Sequence, residues 1–185
     1  MRFQTTKRLA CVATVLFATF GAARASFARD DELIGDAQRT VAKYRRADPG
    51  LDEFIQRSAG YAVFPGVGKG GYVVGGAHGT GVLFEHGVPT GKVTLNQVTV
   101  GAQIGGEEFS EVIFFQTPAN VAAFKQGKAN LSAQASAVAL DKGAAAVARY
   151  KNGIAIFTQM KGGLMAEASV GGQKFSFEPF ATSTP

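Results

Sequence analysis

The sequence predicts an α+β fold: an amphipathic N-terminal helix packed on a strongly curved, mostly antiparallel β-sheet or partly closed barrel. Three observations carry that expectation. One helical stretch, Asp30 to Ala47, has its apolar residues on a single stripe. The stretch Tyr61 to Gly81 interleaves Gly66, Gly68, Gly70, Gly71, Gly75, Gly76, Gly79 and Gly81 with Tyr61, Val63, Phe64, Val67, Tyr72, Val73 and Val74, so its glycines sit among strand formers and not in a polar linker. From there to the end, short strand patterns recur between turn signals, as in a curved antiparallel sheet.

The chain has 185 residues, enough for one domain with a real core. Its first 25 residues read as a secretory signal peptide. Arg2, Lys7 and Arg8 form a basic start, Leu9 to Ala23 is an apolar run, and Ala23-Arg24-Ala25 is a small-x-small cleavage site before Ser26. Arg2, Lys7, Arg8 and Arg24 are four of the 19 basic residues, and no acid precedes Ser26. The mature chain would hold 15 basic and 14 acidic residues, a net +1. Nucleic-acid binding therefore loses its support and is not expected. Cys11, the only cysteine, lies in the apolar run behind Arg8, a poor lipoprotein context. The mature chain would then lack thiol chemistry altogether, which suits an exported protein of the periplasm or envelope. The expected organisation is a signal peptide at 1–25, a helical segment at 26–58, a β-rich domain at 59–180 and a frayed tail at 181–185.

Within Asp30 to Ala47, Leu33, Ile34, Ala37, Val41 and Tyr44 fall within about a 100° arc, and Arg39, Lys43 and Arg46 fall on the far side. Asp30, Asp31 and Glu32 suit a helix start, the arginines suit its end, and Asp48-Pro49-Gly50 stops it. Such a helix can pack on a sheet or lie on a membrane; packing is the preferred reading, since its apolar residues are few and several are small. Leu51 to Ser58 reads as a second, short helix.

Two strands follow, YAVFPGV and GGYVVGGAH, with a break at Pro65-Gly66 and a turn at Gly68 to Gly71. A phosphate loop is excluded because Lys69 precedes Gly70 and not Ser or Thr. The remaining strands are expected at Gly81 to His86, Lys92 to Ile104, Glu107 to Gln116, Ala133 to Leu140, Ala144 to Tyr150, Gly153 to Thr158, Leu164 to Val170 and Gln173 to Phe177, with a short helix begun by Thr117-Pro118 and stopped at Gly127. Asn152-Gly153 is the firmest hairpin signal.

No catalytic constellation assembles. His78, His86 and Glu85 could form only a weak metal site, since histidines eight apart lack the spacing of helical metal motifs. Glu107, Glu108 and Glu111 cluster in sequence; Glu107 and Glu111 share a face with Phe109, and a solvated edge is the plainer account. No metal or cofactor is expected.

The blocks AVFPGVGKGGYVVGGAHGTGVL, GAQIGGEEFSEVIFF, AQASAVAL and NGIAIFTQMKGGLMAEASVGGQKFSFEP resemble, in that order, the successive blocks of the SYLF domain family, also called the family of the yeast actin-patch protein. Lys69-Gly70-Gly71, Gly75-Gly76 and Gly79-Thr80-Gly81 match its first block and Gln103-Ile104-Gly105 its second. The resemblance implies lipid binding: eukaryotic relatives bind phosphoinositide membranes, partly through an amphipathic N-terminal helix, some bind actin filaments, and bacterial relatives are exported and lipid-binding. Asp30 to Ala47 corresponds to that helix by position and amphipathicity. Many relatives carry a Trp after the Gly-rich block, where Val88 to Lys92 has none. An exported chain would meet no actin, so actin binding is not expected.

The resulting expectation is a non-catalytic lipid- or envelope-binding module that meets a phospholipid surface, anionic in charge, through Leu33, Ile34, Arg39, Val41, Lys43, Tyr44, Arg46 and Lys69. Two rivals stand beside it: a small outer-membrane β-barrel, and a metal-binding or hydrolytic enzyme using His78, His86 and Glu107.

Overall fold

A computed structural model describes residues 6–71, 74–100, 106–129, 137–162 and 172–181. The chain divides into two compact units, Met1–Leu33 and Ile34–Pro185. Helix α1 (Thr6–Ala47) begins in the first and ends in the second, so the acidic group at Asp30 lies inside a helix and not at its start. No described helix is long and apolar enough to cross a membrane.

The second unit continues with α2 (Leu51–Arg57), β1 (Gly60–Gly71), β2 (Val74–Glu85), β3 (Val88–Val100), β4 (Gly106–Phe115), α3 (Pro118–Lys125), β5 (Val138–Ala139), α4 (Ala144–Val147), β6 (Ile154–Gly162) and β7 (Gln173–Pro179). The seven strands form one sheet in the order β5-β6-β4-β1-β2-β3-β7. Every pairing is antiparallel except the two-residue β5–β6 contact. The predicted fold class is the observed one, with the sheet curved and unclosed.

Curvature has a local cause in β1. Its ladder skips between Val63 and Gly66 on the β2 side and between Phe64 and Val67 on the β4 side, so Pro65, which has no N–H to donate, sits in a bulge. The expected break at Pro65-Gly66 is thus a bend within one strand. The expected turn at Gly68 to Gly71 is also strand: those residues pair with His78 to Gly75, and the connection lies at 72–73, outside the described residues. Gly81 shows what the glycines are for. A Cβ there would stand 2.2 Å from the Val63 carbonyl oxygen, so only glycine lets β1 and β2 approach this closely.

The inner face of the curve buries Ala62, Phe64, Val67, Leu83, Val93, Leu95, Phe109, Ile113, Phe115 and Ile156. Helix α3 plugs it. Phe124 meets Phe115 at a ring-centroid distance of 4.7 Å and Phe175 of β7 at 4.9 Å, and Phe175 also meets Phe64 of β1 at 5.9 Å. Since β1 and β7 are separated by two strands, that contact requires the sheet to wrap. Thr117 caps α3 as the sequence predicts: its Oγ1 accepts from Asn120 N at 3.3 Å while Asn120 Oδ1 accepts from Thr117 N at 3.2 Å.

The outer face carries a second core. Phe54 of α2 packs against Phe114, Phe157 and Tyr150 at 5.1–5.5 Å, and Tyr61 stacks on Phe84 at 5.1 Å. With both faces covered, β4 is buried continuously from Phe109 to Phe115, hence its apolar run from Val112 to Phe115. One predicted strand is a helix: Ala144 to Val147 form α4, entered through Gly143 at φ +87°. Asn152 and Gly153, at φ 53° and 78°, make the predicted two-residue turn, closed by Lys151–Ile154 backbone hydrogen bonds of 2.9 and 3.0 Å. The strand expected at Leu164 to Val170 and the first half of that at Ala133 to Leu140 fall outside the described residues; the second half holds β5.

Candidate functional site

The end of α1 separates the expected lipid-contacting residues into two groups. Ala37 and Tyr44 are buried and Ile34 and Val41 half-buried, while Arg39, Lys43 and Arg46 are exposed on the opposite stripe. Tyr44 is anchored: its hydroxyl donates to the Ser110 carbonyl oxygen of β4 at 2.7 Å, and burial pushes its ionisation well above the usual tyrosine range. Leu33 belongs to the first unit. Arg39 pairs with Asp36 one turn earlier, whereas Lys43 and Arg46 make no ion pair among the described residues. A helix placed in this way presents cationic charge outward and holds its apolar stripe inward.

Lys69 lies elsewhere. It is 6% exposed, follows Val67 on the inner face of β1, and sits between Ala77 of β2 and Glu107 of β4 in the ladder. Deeper on that face Glu111 of the sequence cluster meets Gln173, a partner that sequence reasoning did not single out. Glu111 is fully buried, cross-strand from Thr158, and its Oε2 accepts from Gln173 Nε2 of β7 at 3.1 Å. Its Oε1 and the Gln173 Oε1 have no hydrogen-bond partner among the described residues. Burial raises the Glu111 carboxyl to about 7, opposed by the Gln173 hydrogen bond. The face shared by Phe109 and Glu111 is thus as the alternation predicts, but it is the core and not a solvated edge; only Glu108, on the other face, is exposed, paired with Lys161 at 2.6 Å.

The rival sites do not assemble. His78, exposed on β2, bonds through Nδ1 to Asn96 Oδ1 at 2.8 Å, and His86 occupies the β2–β3 turn at φ 51°. Eight residues of strand at about 3.3 Å each place the two on the order of 25 Å apart. Glu107 lies on β4, in a different part of the sheet from His86. Among the described residues no three His, Cys, Asp or Glu side chains come together as metal ligands. An outer-membrane barrel needs an apolar lipid-facing exterior, and here the outer face of β4 and β6 is covered by the end of α1 and by α2.

Residues 96–183, from within β3 through β7, match the Ysc84 family model, described as Las17-binding protein actin regulator. The matched residues are similar to the SYLF family. The SYLF match takes in β4, α3 and β6 with their buried faces; the Gly-rich block from Tyr61 to Gly81 precedes the matched residues. A similar protein is Beta cell expansion factor A of Aeromonas veronii, 28% identical over 139 residues, a match covering 74% of this chain and 52% of the relative. The chain therefore corresponds to about half the length of that relative. SYLF domains are in general lipid-binding and non-catalytic.

Proposed function

We propose that this chain is an exported, non-catalytic module of the bacterial envelope that docks on anionic phospholipid through the outward face of α1, Arg39, Lys43 and Arg46, with its first 25 residues removed on export. The observation that carries the reading is the position of these cations: they face solvent on a helix whose opposite stripe is held by the sheet. The match to a lipid-binding family over residues 96–183 supports the ligand class. Actin, named in the family's description, is not the partner proposed, because an exported chain does not meet it.

Magnitudes set what the helix can do. Each basic side chain at an anionic surface contributes about 1 kcal/mol, so three give about 3 kcal/mol, and a millimolar dissociation constant needs about 4 kcal/mol. Charge alone is too weak. The rest comes from apolar contact, either Leu33, Ile34 and Val41 leaving their seats for the bilayer or an acyl chain entering the inner face past Lys69. Tyr44 stays behind, since removing it would strand the Ser110 carbonyl.

The test is co-sedimentation with vesicles of neutral or anionic phospholipid. We expect binding to require the anionic lipid, to fall at least tenfold in the Arg39→Gln, Lys43→Gln, Arg46→Gln triple variant, and to weaken at 1 M salt, where the Debye length is about 3 Å. Binding that ignores both salt and the triple substitution overturns the role of α1. Failure to bind any vesicle overturns the function.

A further inference from the structure

Beneath α2 and α4, on the outer side of the sheet, lies a groove of about 510 Å³ that neither the α1 surface nor the inner polar set uses. That volume is the size of a small-molecule site. Its floor is aromatic: Phe54 and Tyr150 meet at 5.4 Å, and Phe54 is locked from behind by Phe114 and Phe157. Arg57, Arg149 and Gln116 add polar groups to the lining.

The charges do not cancel. Arg57 is paired with Glu53, whereas Arg149 donates from Nη1 to the carbonyls of Ala146 and Ala148 at 2.8 and 2.7 Å and meets no carboxylate among the described residues. Two guanidiniums against one carboxylate leave the lining with a single positive charge. The Tyr150 hydroxyl is covered and makes no hydrogen bond among the described residues, so the groove also holds a donor without an acceptor. Burial pushes that hydroxyl up to about 12 despite the nearby Arg57 charge, which keeps its proton in place.

We propose that this groove is a second ligand site that takes a small monoanionic amphiphile, its apolar body on the Phe54–Tyr150 floor and its single negative charge on Arg149 and Arg57. A neutral amphiphile would leave the positive charge uncompensated, and a dianion would have to displace Glu53 from Arg57 to be matched. The same head-group chemistry comes from a free fatty carboxylate or from the phosphodiester of a membrane lipid.

Calorimetric titration of the full chain with decanoate, with decanol as the neutral control, tests the site. We expect saturable one-to-one binding of decanoate, at least tenfold weaker binding of decanol, at least tenfold loss in Arg149→Gln and a several-fold loss in Tyr150→Phe. Both arginines are exposed, so these variants fold, which thermal unfolding checks. The triple variant of Arg39, Lys43 and Arg46 should bind decanoate normally; if it loses vesicles yet keeps decanoate, the two sites are separate. In parallel, phosphatidylglycerol vesicles distinguish the sources: vesicle binding lost in Arg149→Gln assigns the head group to a bilayer phosphodiester, and vesicle binding kept while decanoate is lost assigns it to a free carboxylate. Decanoate binding that is absent, or unchanged in both Arg149→Gln and Arg57→Gln, overturns the proposal.

Discussion

Glu111 is a carboxyl group held among Phe109, Ile113 and Phe115 on the inner face, with one hydrogen bond, from Gln173. Its raised value, about 7 against an ordinary 4.5, has a definite sign for stability. Below about pH 4.5 both folded and unfolded chains carry the proton and the stability is fully present; between 4.5 and 7 the unfolded chain ionises first and stability falls; above 7 the loss is complete. At about 1.4 kcal/mol per unit the loss is about 3 kcal/mol. Glu111→Gln keeps an amide oxygen for Gln173 and removes the ionisation. Urea unfolding at pH 5 and pH 8 should find the variant more stable than wild type at pH 8 by about 1–3 kcal/mol, with little difference at pH 5; equal pH slopes in both proteins would refute this. Strand alternation alone places Glu111 on the face of Phe109. That this face is dry follows only from α3 and β7 closing over it.

Among the elements, α4 shows why four residues can defeat a local reading. Ala144 to Val147 is short and apolar, and although its alanines favour helix, four residues are too few for periodicity to tell helix from strand. The decision comes from 97 residues earlier: buried Asp48, just after α1, accepts from Ala145 N at 2.7 Å and from Gly50 N at 3.0 Å, so one carboxylate caps α4 and holds the entrance to α2. Asp48→Ala should cost about 1–2 kcal/mol and lower the melting temperature by about 4 °C. Differential scanning fluorimetry checks it, and an unchanged melting point would mean that the cap is idle. By contrast α3 was legible throughout, because Thr117, Pro118 and Asn120 make its cap from adjacent residues. The end of α1 was legible for the same reason, at Asp48-Pro49-Gly50.

For the whole molecule, the proposed export is tested by mass: protein recovered from the envelope fraction should begin at Ser26, and a full-length or diacylglycerol-modified chain would refute cleavage after Ala25. The sequence by itself determined the α+β class, the stripe of Ile34, Ala37, Val41 and Tyr44, the β4 core strand and the resemblance to the SYLF family, because each depends on periodicity, composition or residues close along the chain. The tertiary structure alone decided that Gly81 is required by the Val63 carbonyl, that Pro65 bends a strand without ending it, that Glu111 meets Gln173, and that Arg57 and Arg149 line one groove. The reason is physical. A wrapped sheet brings together strands remote in sequence, and burial, which sets the charge of Glu111 and the close packing at Gly81, belongs to those remote neighbours and not to the residue itself.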